Sequence, residues 1–168
     1  FMPVENVVVH FCNVHGYHRI LSNKRMLPDL PKSWEKIKLL INVLQNYYSV
    51  LYLDDDAVVN RFDYTLEYFM SRFPSYDIIL SATEKNGFKW QGSPNFGTFI
   101  IKNTLYSISL LKNVLNNPLC DYRYTKRCCW EQDCVWQLFT NRTSLCDKFV
   151  YTDTHVKIVP AASFACNG

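Results

Sequence analysis

The segment Val50-Leu51-Tyr52-Leu53-Asp54-Asp55-Asp56 constrains this chain more than any other, because an apolar run passes straight into three consecutive aspartates. An apolar stretch without polar alternation is the pattern of a strand buried on both faces, as in a parallel sheet. Three carboxylates at the end of such a strand repel one another and lose hydration beside the core, so they are costly as structure alone. A hard divalent cation, Mn²⁺ or Mg²⁺, resolves the conflict, since oxygen ligands select such ions. Asp54 and Asp56 are spaced to share one ion or its water shell, with Asp55 pointing toward a ribose hydroxyl or a supporting helix. The carboxyl ends of strands are also where open α/β sheets place ligands. The plain alternative is a solvated acidic turn that holds nothing.

Around this strand the chain alternates between helical and extended patterns. Val4, Val7, Val8, Phe11 and Val14 predict a helix over 4–15, stopped by Gly16, and residues 17–21 read as a short strand. Pro28 and Pro31 mark a loop before Ser33, which can cap a helix running to about residue 46 and burying Ile37, Leu40, Ile41 and Leu44. Further helices are expected over 62–73, closed by Pro74, over 104–115 and over 130–140. Further strands are expected over 77–82, 97–101, 148–151 and 156–159, with a polar loop over 84–94. Strands alternating with helices predict a single-domain, Rossmann-like α/β sandwich over 1–168 with a mainly parallel central sheet flanked by helices.

Composition narrows the partners. A net charge of +3 on 168 residues, with basic residues scattered, requires no nucleic acid and no anionic membrane. No run approaches the ~20 apolar residues that span a bilayer, so no membrane segment is expected within this chain. Six of the seven cysteines fall between 120 and 166 without the C-x-x-C pairing of a zinc site, which suits disulfides in a secretory compartment such as the Golgi lumen. The odd count leaves one unpaired, the sequon Asn141-Arg142-Thr143 points the same way, and a cytoplasmic location is the alternative.

A strand ending in D-x-D has a second chemical use. Asp54, Asp56 and Val58 match the D-x-D-x-V of haloacid-dehalogenase-like phosphatases, where the first aspartate is a nucleophile. Ser81 or Thr83 and Lys102 could supply the hydroxyl and lysine such an enzyme needs, but no late strand ends in the paired acids that complete it.

Several motifs in order carry a different resemblance. Ser33-Trp34-Glu35-Lys36, Tyr52-Leu53-Asp54-Asp55-Asp56-Ala57, Asn95-Phe96-Gly97-Thr98-Phe99-Ile100-Ile101-Lys102-Asn103 and Glu131-Gln132-Asp133 together resemble the GT-A-fold glycosyltransferases. The group in question holds the galactosyl-, mannosyl- and xylosyltransferases that build mannan and xyloglucan. Asn13-Val14-His15-Gly16-Tyr17 is similar to that group's R-H-G-Y segment, with valine in place of arginine.

The resemblance implies a metal-dependent transfer of sugar, with retention, from a UDP- or GDP-sugar to a glycan or protein acceptor. Asp54 and Asp56 would hold the cation against the donor diphosphate, where it stabilises leaving-group charge. Lys36, Asp55, Asn95 and Gly97 would line the donor. Glu131, Gln132 and Asp133 would face the anomeric carbon, where a carboxylate or amide oxygen stabilises oxocarbenium-like charge. Family members also carry a nucleotide-binding strand ahead of the R-H-G-Y segment and a late histidine as third metal ligand. No such strand is evident here, and His155 is the late histidine available. Trp90 is the candidate stacking platform for an acceptor. A catalytically silent nucleotide-sugar- or carbohydrate-binding module is the non-enzymatic alternative.

Overall fold

The computed structural model describes residues 4–82, 94–116, 130–140, 153–160 and 165–167. Helix α1 (Val4–His15) is followed by a 3-10 turn (Lys32–Trp34), helix α2 (Glu35–Val43), strand β1 (Ser49–Leu53), strand β2 (Ala57–Val59) and helix α3 (Leu66–Arg72). Then come β3 (Ile78–Ala82), β4 (Pro94–Lys102), α4 (Leu105–Asn116), α5 (Trp130–Thr140), β5 (Val156–Val159) and β6 (Ala165–Asn167).

The helix ends follow local chemistry. Gly16 takes φ +68°, the left-handed conformation that glycine adopts without penalty, and the Tyr17 amide donates to the Cys12 carbonyl at 2.9 Å, as in a Schellman ending. Thr65 caps α3, its hydroxyl accepting from the Tyr68 amide at 3.1 Å. Ser33 makes no cap: it lies inside the 3-10 turn, whose flanking Pro31 makes no side-chain bond, and Glu35 accepts from the amides of Met26 and Leu27. The expected strand over 17–21 is not formed: the Tyr17 amide closes α1, its hydroxyl accepts from the Leu66 amide at the start of α3, and residues 17–21 pair with no strand among the described residues.

The main sheet has the order β1-β4-β3-β5, and β2 with β6 forms a separate antiparallel pair. Strands β1, β3 and β5 point the same way, while β4 runs opposite between β1 and β3. The sheet is therefore mixed: the like-directed strands dominate, but only β3 and β5 pair in parallel. Nothing in the apolar runs of β1 and β4 distinguishes the two directions; β4 is buried, whereas β1, expected to be buried on both faces, is an edge strand whose residues are all half-buried.

Side-chain alternation splits the core. Ile78, Leu80, Phe99 and Ile101 meet Trp34, Ile37, Leu40 and Leu44 with Leu111 and Val114 on one face, and Ile79 and Ile100 meet Leu66, Phe69 and Val159 on the other. Helices α2, α4 and α5 thus cover one side and α3 the other. Each fully buried Leu or Ile in this set contributes roughly 1.5–3 kcal/mol. The predicted strand over 148–151 and the predicted polar loop up to residue 93, Trp90 included, lie outside the described residues, while Pro94 opens β4.

Candidate functional site

Strand β1 carries its apolar run into a tight turn. The Ala57 amide donates to the Asp54 carbonyl at 3.0 Å, so Asp55 and Asp56 occupy the centre of a β-turn and are exposed, while Asp54 faces inward. The turn abandons the two-residue alternation that would have kept Asp54 and Asp56 on one face. Asp54 and Asp55 border a cleft of about 890 Å³ that runs beside β1 between α1 and α2. Tyr17, His18, Tyr47 and Lys36 also line it.

Lys36 is the centre of the interior side. Its ammonium, with the residue only 7% exposed, lies 2.9 Å from Asp54 Oδ1, 3.3 Å from Asp54 Oδ2 and 2.9 Å from Glu131 Oε1. It also donates to the Phe96 carbonyl at 3.1 Å. The Tyr52 and Phe96 rings flank it, their centroids 5.1 and 5.9 Å from Nζ, a cation–π arrangement. Lys36 reaches this point because Ile37, Leu40 and Ile41 fix the roll of α2. Glu131 reaches it because Val135 and Trp136 bury α5, with the Trp136 indole donating to the Pro94 carbonyl at 2.7 Å. Glu131 is 5% exposed, and its Oε2 has no hydrogen-bond partner among the described residues.

Strand β4 is irregular at this end. Its pairing with β3 jumps from Leu80↔Phe99 to Ser81↔Asn95, which leaves residues 96–98 out of that ladder. Side chains answer the released backbone. Gln132 Oε1 accepts from the Phe96 amide at 2.8 Å, and Asn95 Oδ1 accepts from the Gly97 amide at 2.7 Å. The Gly97 carbonyl accepts from the Asp54 amide at 2.8 Å. Lys36, Asp54, Asn95, Gly97, Glu131 and Gln132 are thus brought together, and the side chain of Asp133 is outside the described set.

His155 is not part of this group. It sits before β5, its Nδ1 is 2.6 Å from Asp77 Oδ2, and its ring stacks on Tyr106 at 4.2 Å. Asp77 precedes β3 and takes the Lys102 amide on its carbonyl, so the pair occupies the end of the sheet where β1 begins. Five strand residues, roughly 17 Å of rise, separate it from Asp54. The phosphatase set is dispersed as well. Lys102 donates to the Pro74 carbonyl at that same far end, and the buried Ser81 hydroxyl donates to the Thr98 carbonyl.

Tyr52 stands in the motif of β1 but has no role assigned from the sequence. Its hydroxyl donates to Asp54 Oδ1 at 2.9 Å, and burial, then the Asp54 charge, pushes its ionisation far above the usual phenol range. The two-residue spacing from Asp54 along a strand was the available signal. At the other wall of the cleft, burial and a hydrogen bond to Glu67 push Tyr17 up to about 12.

No curated protein matches the chain. Among solved structures, a glycosyltransferase involved in the glycosylation of the major capsid of PBCV-1 is similar at TM-score 0.65 and 14% identity, over 94% of this chain and 75% of that one. At that identity the likeness shows the fold, a mixed α/β glycosyltransferase architecture. A family model described as nucleotide-diphospho-sugar transferase matches residues 29–164, a span that contains the Asp54 turn, the irregular stretch of β4 and the Glu131 helix. The chain therefore belongs to the nucleotide-diphospho-sugar transferase family.

Proposed function

We propose that this chain transfers a sugar from a nucleoside diphosphate donor, UDP- or GDP-linked, to a glycan or protein acceptor, with Asp54 and Asp56 holding Mn²⁺ or Mg²⁺ and the resembling group's retention of configuration. The observation that carries the reading is the exposed carboxylate turn at the end of β1, beside a cleft large enough for a nucleotide, in a chain of this family. Among the described residues no three acidic, histidine or cysteine side chains converge to cage an ion. An Mg²⁺-like ion takes one or two carboxylates, with water and substrate phosphates completing the coordination. When bound, the ion neutralises charge developing on the leaving diphosphate. Asp55, on the cleft wall, suits a donor hydroxyl. Glu131 and Gln132, on α5 behind the irregular stretch of β4, are the carboxylate and amide assigned to the sugar end by the motif, and Asp133 is carried with them.

Calorimetric titration of UDP- and GDP-sugars, with and without Mn²⁺, tests this in wild type and in an Asp54→Ala/Asp56→Ala variant. Manganese-dependent binding that the variant loses by about a hundredfold or more is the expected result. Equal binding by both proteins would remove the carboxylate turn from the site.

A further inference from the structure

Lys36 is bonded in a way that a donor contact does not require. A carboxylate offers about four lone-pair sites. On Asp54, Oδ1 accepts from the Tyr52 hydroxyl at 2.9 Å and lies 2.9 Å from the Lys36 ammonium, which donates to Oδ2 at 3.3 Å. The ammonium thus lies against both oxygens of the carboxylate and covers its Lys36 side. The ammonium is also pinned: Glu131 Oε1 at 2.9 Å and the Phe96 carbonyl at 3.1 Å hold it from behind, and two aromatic rings flank it.

We infer that Lys36 is a built-in counter-ion that restricts Asp54 to one-sided coordination and makes cation binding depend on the nucleoside diphosphate. The inference rests on Asp54 being a cation ligand, as proposed above. An ion about 2.2 Å from Oδ2 stands within about 5.5 Å of Nζ, where a buried positive charge repels it strongly. Glu131 prevents the lysine from swinging away, because leaving would strand a buried carboxylate. The bare protein therefore holds the ion weakly. A diphosphate brings both oxygen ligands and negative charge, so ion and nucleotide load together, and Lys36 is a positioning residue that acts through Asp54.

The test measures Mn²⁺ binding by the loss of the free-ion paramagnetic resonance signal, alone and with UDP or GDP, in wild type, Lys36→Met and Lys36→Met/Glu131→Gln. The double variant removes the ammonium together with the carboxylate it balances, and it decides the question if the single variant melts below the assay temperature. Mn²⁺ alone is expected to bind at least tenfold tighter to Lys36→Met and at least threefold tighter to the double variant, with a smaller further gain from nucleotide than wild type shows. A lysine that only stabilises the fold or only touches the donor gives no such gain. Unchanged or weaker binding of Mn²⁺ alone in the folded variants overturns the counter-ion role, and leaves the transferase reading standing wherever wild type binds Mn²⁺ with nucleotide. No binding by any of the three proteins, with or without nucleotide, overturns both.

Discussion

The two ends of the central sheet each carry an acid paired with a base, yet they are built on opposite terms. At the far end, His155 and Asp77 meet across the paired strands β5 and β3, with the histidine side chain half exposed and its ring on Tyr106. At the near end, Lys36 serves two carboxylates in the interior, strand β4 leaves its ladder, and Asn95 and Gln132 side chains replace backbone partners. The far end obeys the local rules of a sheet and needs nothing beyond them. The near end breaks several at once, and the resulting acidic excess faces a cleft. Proteins tolerate such departures where function demands them.

Substitutions at the two ends should separate sharply. Glu131→Ala leaves Lys36 buried with one carboxylate fewer, and urea denaturation should show a loss of about 3–5 kcal/mol. Gln132→Ala strips the Phe96 amide of its acceptor and should cost about 1–3 kcal/mol in the same assay, with donor affinity falling alongside as residues 96–98 lose their anchor. His155→Ala should cost no more than about 1 kcal/mol and leave Mn²⁺-dependent donor binding at the wild-type value, since the pair is solvent-screened and remote. Equal costs at both ends would collapse the distinction. Donor binding that falls with His155→Ala would bring that histidine into the site by a route the sheet register does not provide.

Much of the fold was legible in the chain. The helices over 4–15 and 130–140 and the strand over 156–159 coincide with α1, α5 and β5, because apolar periodicity and the Gly16 stop act locally. Where tertiary partners decide, the reading drifted. The helix expected over 62–73 begins only at Leu66, since Thr65 makes the cap. Strand β4 starts at Pro94, within what reads as polar loop, because β3 and the Trp136 indole offer Pro94 and Asn95 partners from distant parts of the chain. Strands β2 and β6 are too short to announce themselves and exist as a pair.

The candidate site divides in the same way. Asp54, Asp55 and Asp56 were evident because like charges beside an apolar strand are a local contradiction visible without coordinates. Lys36 and Glu131 were visible as motif members with roles assigned by likeness, but their partnership was not, because 95 positions separate them and only the packing of α2 and α5 on one face of the sheet brings them to 2.9 Å.

Sequence alone determined the α/β class and the acidic run that follows β1, since periodicity and charge repulsion are properties of neighbours along the chain. Tertiary structure decided that β4 runs against its neighbours, that Lys36 is spent on Asp54 and Glu131, and that His155 lies at the wrong end of the sheet to join them. Strand order and burial depend on which distant surfaces exclude water together, and no local pattern encodes that choice.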